Sequence, residues 1–476
     1  MSQIRKIFTN MSWLMISQII TSICGFIWTI LTARYLGVDE YGILGFAMSL
    51  TGVLYVTLDW GTGTHVIRHI STDHDSAPKY IGNSFALRSI FAIGNIILTL
   101  IILILLKCDE MTVTVTLLIA LEMIFKSFCN FINGSFQAFE EGKYQGIGNS
   151  LMNILLLIFI LISVFTDLGI YAISFSYILS NLLALFYLYY SLRKHIVKPK
   201  FELDLEFCKK ITVLSLPFAA TGVLYLIYYS IDVVMLTNMV GNYATGIYNA
   251  AYKLISVLTA FYSVYLAVIF PLMSRLFKND KKILITSYEK SIKYLMLFMI
   301  PLALATTIYS GDIIELIYGQ EYAAASSVLS ILIWTVCFLF VSGAGNNLLN
   351  ASYKEVTLTK IYGITAMFNV VLNFILIPIL SFNGAAITTV LSDALMVLIQ
   401  IYVIRKLGYK INKKLYFDLS KIILGSIILG AILHILNLNM WVALPVGIII
   451  YFTTVYLLKV FDDDDKHIIK EILNKN

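Results

Sequence analysis

Charged residues are scarce in this sequence. Only 13% of the 476 residues are Asp, Glu, Lys or Arg, whereas 59% are hydrophobic. An ordinary soluble globular protein carries about a quarter of its residues as charged side chains. The mean hydropathy of +0.85 therefore excludes that class and indicates a protein of the membrane.

Motifs for cofactor or nucleophile chemistry are also missing. The five cysteines are scattered and form no CxxC pair, so we interpret them as small packing residues. No GxxxxGK[ST] or GxSxG motif is present. His65, His69 and His74 share one predicted loop, but their spacing fits no strong metal motif. No segment ends in a cleavage site typical of a signal peptide. We expect no enzyme, cofactor or metal site.

Long apolar runs dominate instead. A spanning helix needs about 20 mostly apolar residues, and such segments recur along nearly the whole chain, for a predicted count of fourteen. Lys and Arg gather in alternate connections, with clusters in 193–210, 275–290 and 405–421, while the opposite loops hold only Arg34 and Lys107. This bias predicts that both termini are cytoplasmic. The net charge of +6 is then a topology signal and does not indicate nucleic-acid binding.

A repeat divides the chain. Gly37 and Gly42 of segment 31–47 reappear as Gly241 and Gly246 about two hundred residues later, each pair within a helical hairpin. Further matches pair predicted segments 1–6 with predicted segments 7–12. Because six is even, both halves begin on the same side of the membrane, which predicts a parallel repeat. Transporters built from repeated halves hold their substrate where the halves meet.

These patterns predict an all-α integral membrane protein of about 14 transmembrane helices, built from two parallel six-helix lobes and two further C-terminal helices. The acidic run 462–465 is interpreted as part of a native, solvated tail. The predicted parts are an N-lobe over 1–192, a basic cytoplasmic linker over 193–210, a C-lobe over 211–406, two extra helices over 407–460 and a cytoplasmic tail over 461–476.

Two pairs of charges inside the predicted spans are candidate functional residues, because burying charge in a membrane is costly. Glu122 and Lys126 lie one turn apart on one helix face. They are either a self-neutralising structural pair or a cavity wall that offers both signs, and the sequence leaves both open. At about 1.5 Å per residue, Asp232 and Lys253 lie roughly 14 and 18 Å from the turn at Gly241. They could pair across the hairpin, and we favour a functional role.

Single charges are weaker candidates. Arg34 and Asp59 lie at opposite ends of the first hairpin, and Arg34 could equally reach a phosphate headgroup of the bilayer. Arg88 and Asp393 are interpreted as structural or interfacial residues.

Several motifs carry a family resemblance. The stretch ARYLGVDEYG at 33–42, followed by DWG at 59–61, resembles the polysaccharide-biosynthesis flippases of the multidrug/oligosaccharidyl-lipid/polysaccharide exporter superfamily. The motifs YNAAYKL at 248–254 and NGAAITT at 383–389 extend the resemblance over essentially the whole chain. It implies a cell-membrane flippase that moves an isoprenoid-pyrophosphate-linked oligosaccharide to the outer leaflet by alternating access, for cell-surface polysaccharide or glycan synthesis.

The resemblance also implies a V-shaped pair of lobes around a charged cavity, with an apolar groove for the lipid tail on the last two helices. Implied partners are the lipid-linked oligosaccharide, membrane lipids and the polysaccharide synthesis machinery. No hydrolysable energy source is evident in the sequence, which leaves an ion gradient, the membrane potential or downstream consumption of the product. Asp232, Glu122 or Asp59 could carry a coupling ion, H⁺ or Na⁺. Lys253 is the best candidate for contact with pyrophosphate. The predicted substrate-binding residues are Lys253, Asp232, Glu122, Lys126, Arg34 and Asp59.

Three alternatives stay open. An ion-coupled drug or cation antiporter of the same superfamily usually has twelve helices and an acidic residue in the first, whereas segment 9–33 contains neither Asp nor Glu. A membrane oligosaccharide polymerase or ligase typically carries a long external loop, and here the predicted external loops are short. A lipid-binding scaffold without transport would show the same composition.

Overall fold

In a computed structural model of the protein, residues 3–200, 202–279, 281–436, 438–462 and 465 are described. Every regular element in these ranges is a helix, and eleven of the helices are long and apolar enough to cross a membrane. Helices satisfy their own backbone hydrogen bonds, which a bilayer interior requires. The predicted fold class of an all-α, multi-pass membrane protein is confirmed, and the count of fourteen stays a prediction.

The first half of the chain contains seven α-helices. A short 3₁₀ turn at His74–Ser76 precedes the fourth. Their bounds are α1 Gln3–Leu54, α2 Val56–Asp59, α3 Thr62–Ile70, α4 Ala77–Leu105, α5 Glu110–Ala138, α6 Gly142–Phe165 and α7 Gly169–His195.

Eight α-helices lie in the described residues of the second half. A 3₁₀ turn at Gln320–Tyr322 follows the fourth of them. Their bounds are α8 Leu205–Met239, α9 Asn242–Asn279, α10 Lys281–Ile308, α11 Ser310–Tyr318, α12 Ala325–Ala351, α13 Glu355–Lys406, α14 Lys413–Leu436 and α15 Met440–Leu457.

Helices α1 and α13 are each interrupted once. Both are 52 residues long, more than twice the roughly 20 residues that span a bilayer. Gly37 interrupts α1 with φ at 70°, a left-handed conformation that glycine adopts without a Cβ clash. Ser381 interrupts α13 with φ at 52°. Both breaks fall in connections that the hydropathy pattern places between two spans, so α1 and α13 each combine two predicted segments.

The chain forms two compact units. Unit 1 comprises residues 1–250 and 373–382, and unit 2 comprises residues 251–372 and 383–476. The core of unit 1 contains buried apolar side chains of α3, α4, α5 and α7. The core of unit 2 joins α10 to α14 and α15. The lobe boundaries inferred from the repeat stay a prediction.

Candidate functional site

A sharp turn after α2 positions the first candidate carboxylate, Asp59. The next two residues, Trp60 and Gly61, both have left-handed backbones, with φ at 46° and 69°. After this turn the backbone N–H of Gly63 donates to Asp59 Oδ1 at 3.2 Å. A Cβ on Gly63 would lie only 2.9 Å from that same oxygen. Glycine at this position therefore leaves room for the Asp59 carboxylate.

Arg88 on α4 neutralises Asp59. Its side chain is only 2% exposed and its Nη2 binds Asp59 Oδ1. The other terminal nitrogen donates to Ser127 Oγ on α5 at 2.5 Å, and the guanidinium lies 4.7 Å from the centre of the Phe131 ring. Buried charges are stable only when paired and hydrogen-bonded, and both terminal nitrogens of Arg88 have a partner. The sequence analysis treated Asp59 and Arg88 as unrelated single charges, and the structure joins them.

Glu122 and Lys126 on α5 form a pair of unequal exposure. Glu122 is buried, and its Oε1 accepts a hydrogen bond from Asn181 Nδ2 on α7 at 2.9 Å. Lys126 Nζ lies 3.7 Å from the same oxygen, beyond hydrogen-bond distance, and its side chain is 39% exposed. The ammonium carries three N–H donors. Lys126 therefore retains donors for a ligand while it partly compensates the charge of Glu122.

Tyr55, between α1 and α2, lies within electrostatic reach of Asp59, Arg88 and Lys126. Its hydroxyl accepts a hydrogen bond from Asn130 Nδ2 at 3.0 Å. We define the unit 1 polar cluster as five side chains, namely two charge pairs and the tyrosine that interacts electrostatically with members of both pairs. They are Tyr55, Asp59, Arg88, Glu122 and Lys126.

Arg34 lies far from that cluster. It is exposed beside the Gly37 break, and the uninterrupted helix between it and Asp59, over 38–54, is about 25 Å long. The neighbouring Tyr35 donates to Asp167 Oδ1 at 2.8 Å and accepts from the backbone N–H of Gly169 at 2.9 Å. The structure thus brings Asp59, Glu122 and Lys126 together and leaves Arg34 apart.

Asp232 on α8 occupies a second buried polar site of unit 1. Its Oδ1 accepts from Asn373 Nδ2 on α13 at 2.6 Å, and its Oδ2 accepts from the Tyr248 hydroxyl on α9 at 3.1 Å. All three side chains are buried. Lys253 belongs to unit 2, and its predicted pairing with Asp232 stays a prediction. Asn181 and Asn373 are not among the predicted site residues, because those were chosen for their charge. An amide side chain within a spanning helix is a comparable signal of a functional site.

The two copies of the repeated hairpin pack against each other within unit 1. A Cβ on Gly42 would lie 2.0 Å from the carbonyl oxygen of Asn242, and a Cβ on Gly246 would lie 2.0 Å from that of Val38. Gly42 and Gly246 are 204 positions apart, as are Val38 and Asn242 (246 − 42 and 242 − 38). The contact of Gly42 with Asn242 is therefore the counterpart of the contact of Gly246 with Val38, with the two copies of the hairpin exchanged. The sequence repeat is expressed here as a local two-fold crossing that only glycine permits.

Unit 2 contains an apolar groove of about 410 Å³. Helices α10, α12, α13 and α14 form it, and its lining is almost entirely apolar. A smaller apolar cavity of about 230 Å³ lies between α10, α14 and α15. Side chains that line the larger groove include Met296, Trp334, Phe338, Val397, Leu419 and Ile423.

An ionic cluster ties the start of the tail to unit 2. Lys293 Nζ on α10 lies 2.7 Å from Asp465 Oδ2 and 2.9 Å from Asp418 Oδ2. Lys290 binds both Asp465 and Asp462, the latter at 3.0 Å. Asp465 is fully buried, so the interpretation of this run as solvated is wrong for Asp465. The lysines compensate its charge, which an isolated sequence window does not reveal.

The remaining titratable residues form no metal site in the described ranges, where no group of three or more His, Cys, Asp or Glu side chains is placed to hold an ion. His69 stacks on Tyr80 with ring centres 4.3 Å apart, and His74 stacks on Phe139 at 4.5 Å. The structure places His65 and His69 on α3 and not in a loop as predicted, and two of the three histidines pack against aromatic rings.

Curated relatives match over different lengths. The chain is 32% identical over 237 residues to an uncharacterized membrane protein of Methanocaldococcus jannaschii, covering 48% of this chain and 46% of the relative. It is 22% identical to the capsular polysaccharide biosynthesis protein CapF of Staphylococcus aureus, covering 81% and 96%. It is 24% identical to the probable low-salt glycan biosynthesis flippase Agl15 of Haloferax volcanii, covering 48% and 50%. The matched region thus spans about half the length of the first and third relatives.

Among solved structures, the chain is similar to the lipid II flippase MurJ in an inward closed conformation. The TM-score is 0.78 over 93% of this chain and 98% of that chain, at 16% identity, which shows a shared fold.

Family models complete the comparison. The model for MatE matches residues 217–375. The model described as polysaccharide biosynthesis protein matches residues 7–277, which is more than half of the chain. The chain therefore belongs to the polysaccharide biosynthesis protein family, and it is a multi-pass membrane protein.

Proposed function

We propose that this membrane flippase moves an isoprenoid-pyrophosphate-linked oligosaccharide from the cytoplasmic to the outer leaflet by alternating access, for cell-surface polysaccharide or glycan synthesis. CapF is named a capsular polysaccharide biosynthesis protein, Agl15 a probable glycan biosynthesis flippase and MurJ a lipid II flippase. These names support a substrate of this class. The observation that carries the proposal is the apolar groove of about 410 Å³ in unit 2. A lipid-linked substrate needs an apolar surface for its tail, because transfer of hydrocarbon out of water is favourable.

The headgroup requires the opposite environment. A pyrophosphate and a sugar chain need cations and hydrogen-bond donors to cross the bilayer interior. The half-exposed Lys126 supplies such a cation in unit 1, and Lys253 is proposed to supply another in unit 2. In this proposal Glu122 sets the charge around Lys126, and Arg34 attracts phosphate at the outer mouth.

The transport cycle also needs an energy source. We propose a coupling ion, H⁺ or Na⁺, on a buried carboxylate. Asp59 is the poorest candidate, because Arg88 already neutralises it. Glu122 and Asp232 each accept a hydrogen bond from a neutral amide, of Asn181 and Asn373 respectively. Both termini are proposed to be cytoplasmic, on the distribution of Lys and Arg, with the polysaccharide synthesis machinery as a partner.

Reconstitution tests the proposal. The protein is placed in liposomes with a fluorescent farnesyl-pyrophosphate-linked disaccharide, and reduction of the outer-leaflet dye measures exchange between the leaflets. We expect the wild type to accelerate exchange and Lys126→Gln to slow it at least about tenfold, the loss of one charge-assisted contact of roughly 1.4 kcal/mol or more. Lys143→Gln, which removes an exposed lysine of unit 1, is the matched control.

Two results would contradict the proposal. One is exchange no faster than in protein-free liposomes. The other is a Lys126→Gln variant that transports as fast as the Lys143→Gln control, which would remove Lys126 from the site.

A drug or cation antiporter is the second candidate, favoured by the MatE model match over residues 217–375. An antiporter would exchange a cationic dye such as ethidium for protons in the same liposomes. Dye movement driven by a pH gradient, without movement of the lipid-linked sugar, would select this alternative.

A further inference from the structure

Three buried polar atoms near Glu122 have no hydrogen-bond partner in the described part of unit 1. They are Trp28 Nε1, Tyr177 Oη and Asn181 Oδ1. The rings of Trp28 and Tyr177 meet edge to face with centres 5.5 Å apart. Tyr177 and Asn181 lie one turn apart on α7, where the Asn181 amide donates to the Tyr177 carbonyl and to Glu122. Buried polar groups are rarely left unpaired, so this group points to a ligand.

The charge of the Glu122 carboxylate is compensated by Lys126, and this lysine can move away to bind another anion. Lys126 Nζ is 3.7 Å from Oε1 and the lysine is 39% exposed, whereas Glu122 is almost fully buried. If a stronger anion binds this ammonium, the buried carboxylate loses its counter-ion. An uncompensated buried carboxylate is costly, and such a group is neutralised by taking up a proton.

The other groups around Glu122 supply no substitute charge. On its own helix, the Cys129 thiol lies about two turns further along, and on α7 the neighbour is the Tyr177 phenol. Arg88 of α4 and Asp59 of α2 neutralise each other. Lys126 therefore decides whether the carboxylate is compensated.

We propose that Glu122 is a proton-binding site that is coupled to the anionic headgroup of the substrate through Lys126. A pyrophosphate binds the Lys126 ammonium, and the Glu122 carboxylate then takes one proton from water to become a neutral carboxylic acid. When the pyrophosphate leaves, Lys126 returns and the proton is released. This inference rests on the proposed function, because it requires that Lys126 binds the headgroup.

An unpartnered atom gives the protonated state a hydrogen bond. A carboxylic acid has an O–H donor that the carboxylate lacks. Asn181 Oδ1 is a buried acceptor without a partner, and it belongs to the amide whose Nδ2 already donates to Glu122. The structure thus contains an acceptor that the ionised form leaves unused and that the protonated form can use.

The coupling can be measured because headgroup binding and protonation of Glu122 are thermodynamically linked. If headgroup binding favours protonation of Glu122, protonation must favour headgroup binding by the same factor. Calorimetric titration of the purified full chain with farnesyl pyrophosphate, at pH 8 in two buffers of different ionisation enthalpy, gives the number of protons taken up. We expect the wild type to take up close to one proton more per bound probe than Glu122→Gln, which binds the probe without that proton. Protonation changes of the probe itself cancel in this difference.

Two further variants separate the possible causes. Glu110→Gln removes an exposed carboxylate from the start of the same helix and is expected to take up as many protons as the wild type. Lys126→Gln is expected to bind the probe at least tenfold more weakly. The wild-type infrared difference spectrum, in which a protonated carboxyl band appears on probe binding, needs no variant and stays decisive if Glu122→Gln does not fold.

The outcomes separate the two proposals. Equal proton uptake by the wild type and Glu122→Gln, or probe binding without a carboxyl band, overturns the role of Glu122 and leaves the flippase proposal intact. Absence of probe binding, or unchanged binding by Lys126→Gln, overturns the headgroup role of Lys126 on which this inference rests.

Discussion

The buried charges of the two units are compensated in different ways. In unit 2, three lysines meet three aspartates, and Lys293, which is 3% exposed, lies within 3 Å of two of their carboxylates. In unit 1, two cations meet two carboxylates, so the formal charge is also balanced. There, however, Lys126 is 39% exposed and lies 3.7 Å from Glu122. Exposure and distance distinguish the two clusters.

This difference separates a structural cluster from a functional one. A lysine buried between two carboxylates cannot bind a ligand without leaving both charges uncompensated, which is strongly destabilising. A half-exposed lysine at long range from its partner can bind an anion, and the carboxylate that it leaves can be neutralised by one proton, as proposed for Glu122. The comparison indicates that the cluster of unit 2 holds Asp462 and Asp465 against α10 and α14, and it supports the proposed transport role of Lys126 in unit 1.

The largest expected effect is therefore on stability, in unit 2. Replacing Lys293 by Met keeps the side-chain volume but leaves Asp418 buried without its cation and Asp465 with Lys290 as its remaining ion-pair partner. Breaking a buried pair from one side costs about 3–5 kcal/mol, so we expect a clearly lower Tm for the detergent-solubilised protein and a tail that proteases cut faster. Lys360→Met, an exposed position of the same unit, is the control. A Tm equal to that of this control would show that the cluster does not hold the tail.

The structure also shows what the sequence could and could not predict. The hydropathy pattern located the connections in which Gly37 and Ser381 interrupt α1 and α13. It could do so because a spanning segment is recognised within a window of about 20 residues, without knowledge of the rest of the fold. The pairing of Lys293 with Asp418 joins residues 125 positions apart, and only folding sets such a contact. The repeat was visible in the sequence, but the crossing of Gly42 and Gly246 was not, since periodicity gives no inter-helix distance.

A smaller loss of stability is expected in unit 1 from Arg88→Met. Its partner Asp59 is 23% exposed, so water can hydrate the carboxylate that remains. We expect a loss of about 1–3 kcal/mol, the cost of one hydrogen-bonding partner left unsatisfied, measured as a fall in Tm smaller than that of Lys293→Met. Adding Asp59→Asn should restore part of the Tm. An Arg88→Met variant less stable than Lys293→Met would reverse the comparison.

The smallest effect is the pH dependence of the tail cluster. Burial opposes ionisation of Asp462, but hydrogen bonds from Lys414, from the backbone of Asp465 and from Lys290 outweigh it and hold the pKa of Asp462 well below its usual range. A carboxyl whose pKa is lowered on folding contributes stability above its unfolded pKa of about 3.9 and loses it as the pH falls towards the folded pKa. We therefore expect the wild type to exceed Asp462→Asn in Tm by a constant margin from pH 8 to pH 5, and by a shrinking margin below about pH 4. Asp312→Asn, at an exposed position of unit 2, should show no such margin. A Tm difference that widens on acidification would mean that Asp462 is protonated in the folded protein. Its partners Lys290 and Lys414 would then lack a compensating carboxylate, and the charges of unit 2 would be as incompletely compensated as Glu122 in unit 1.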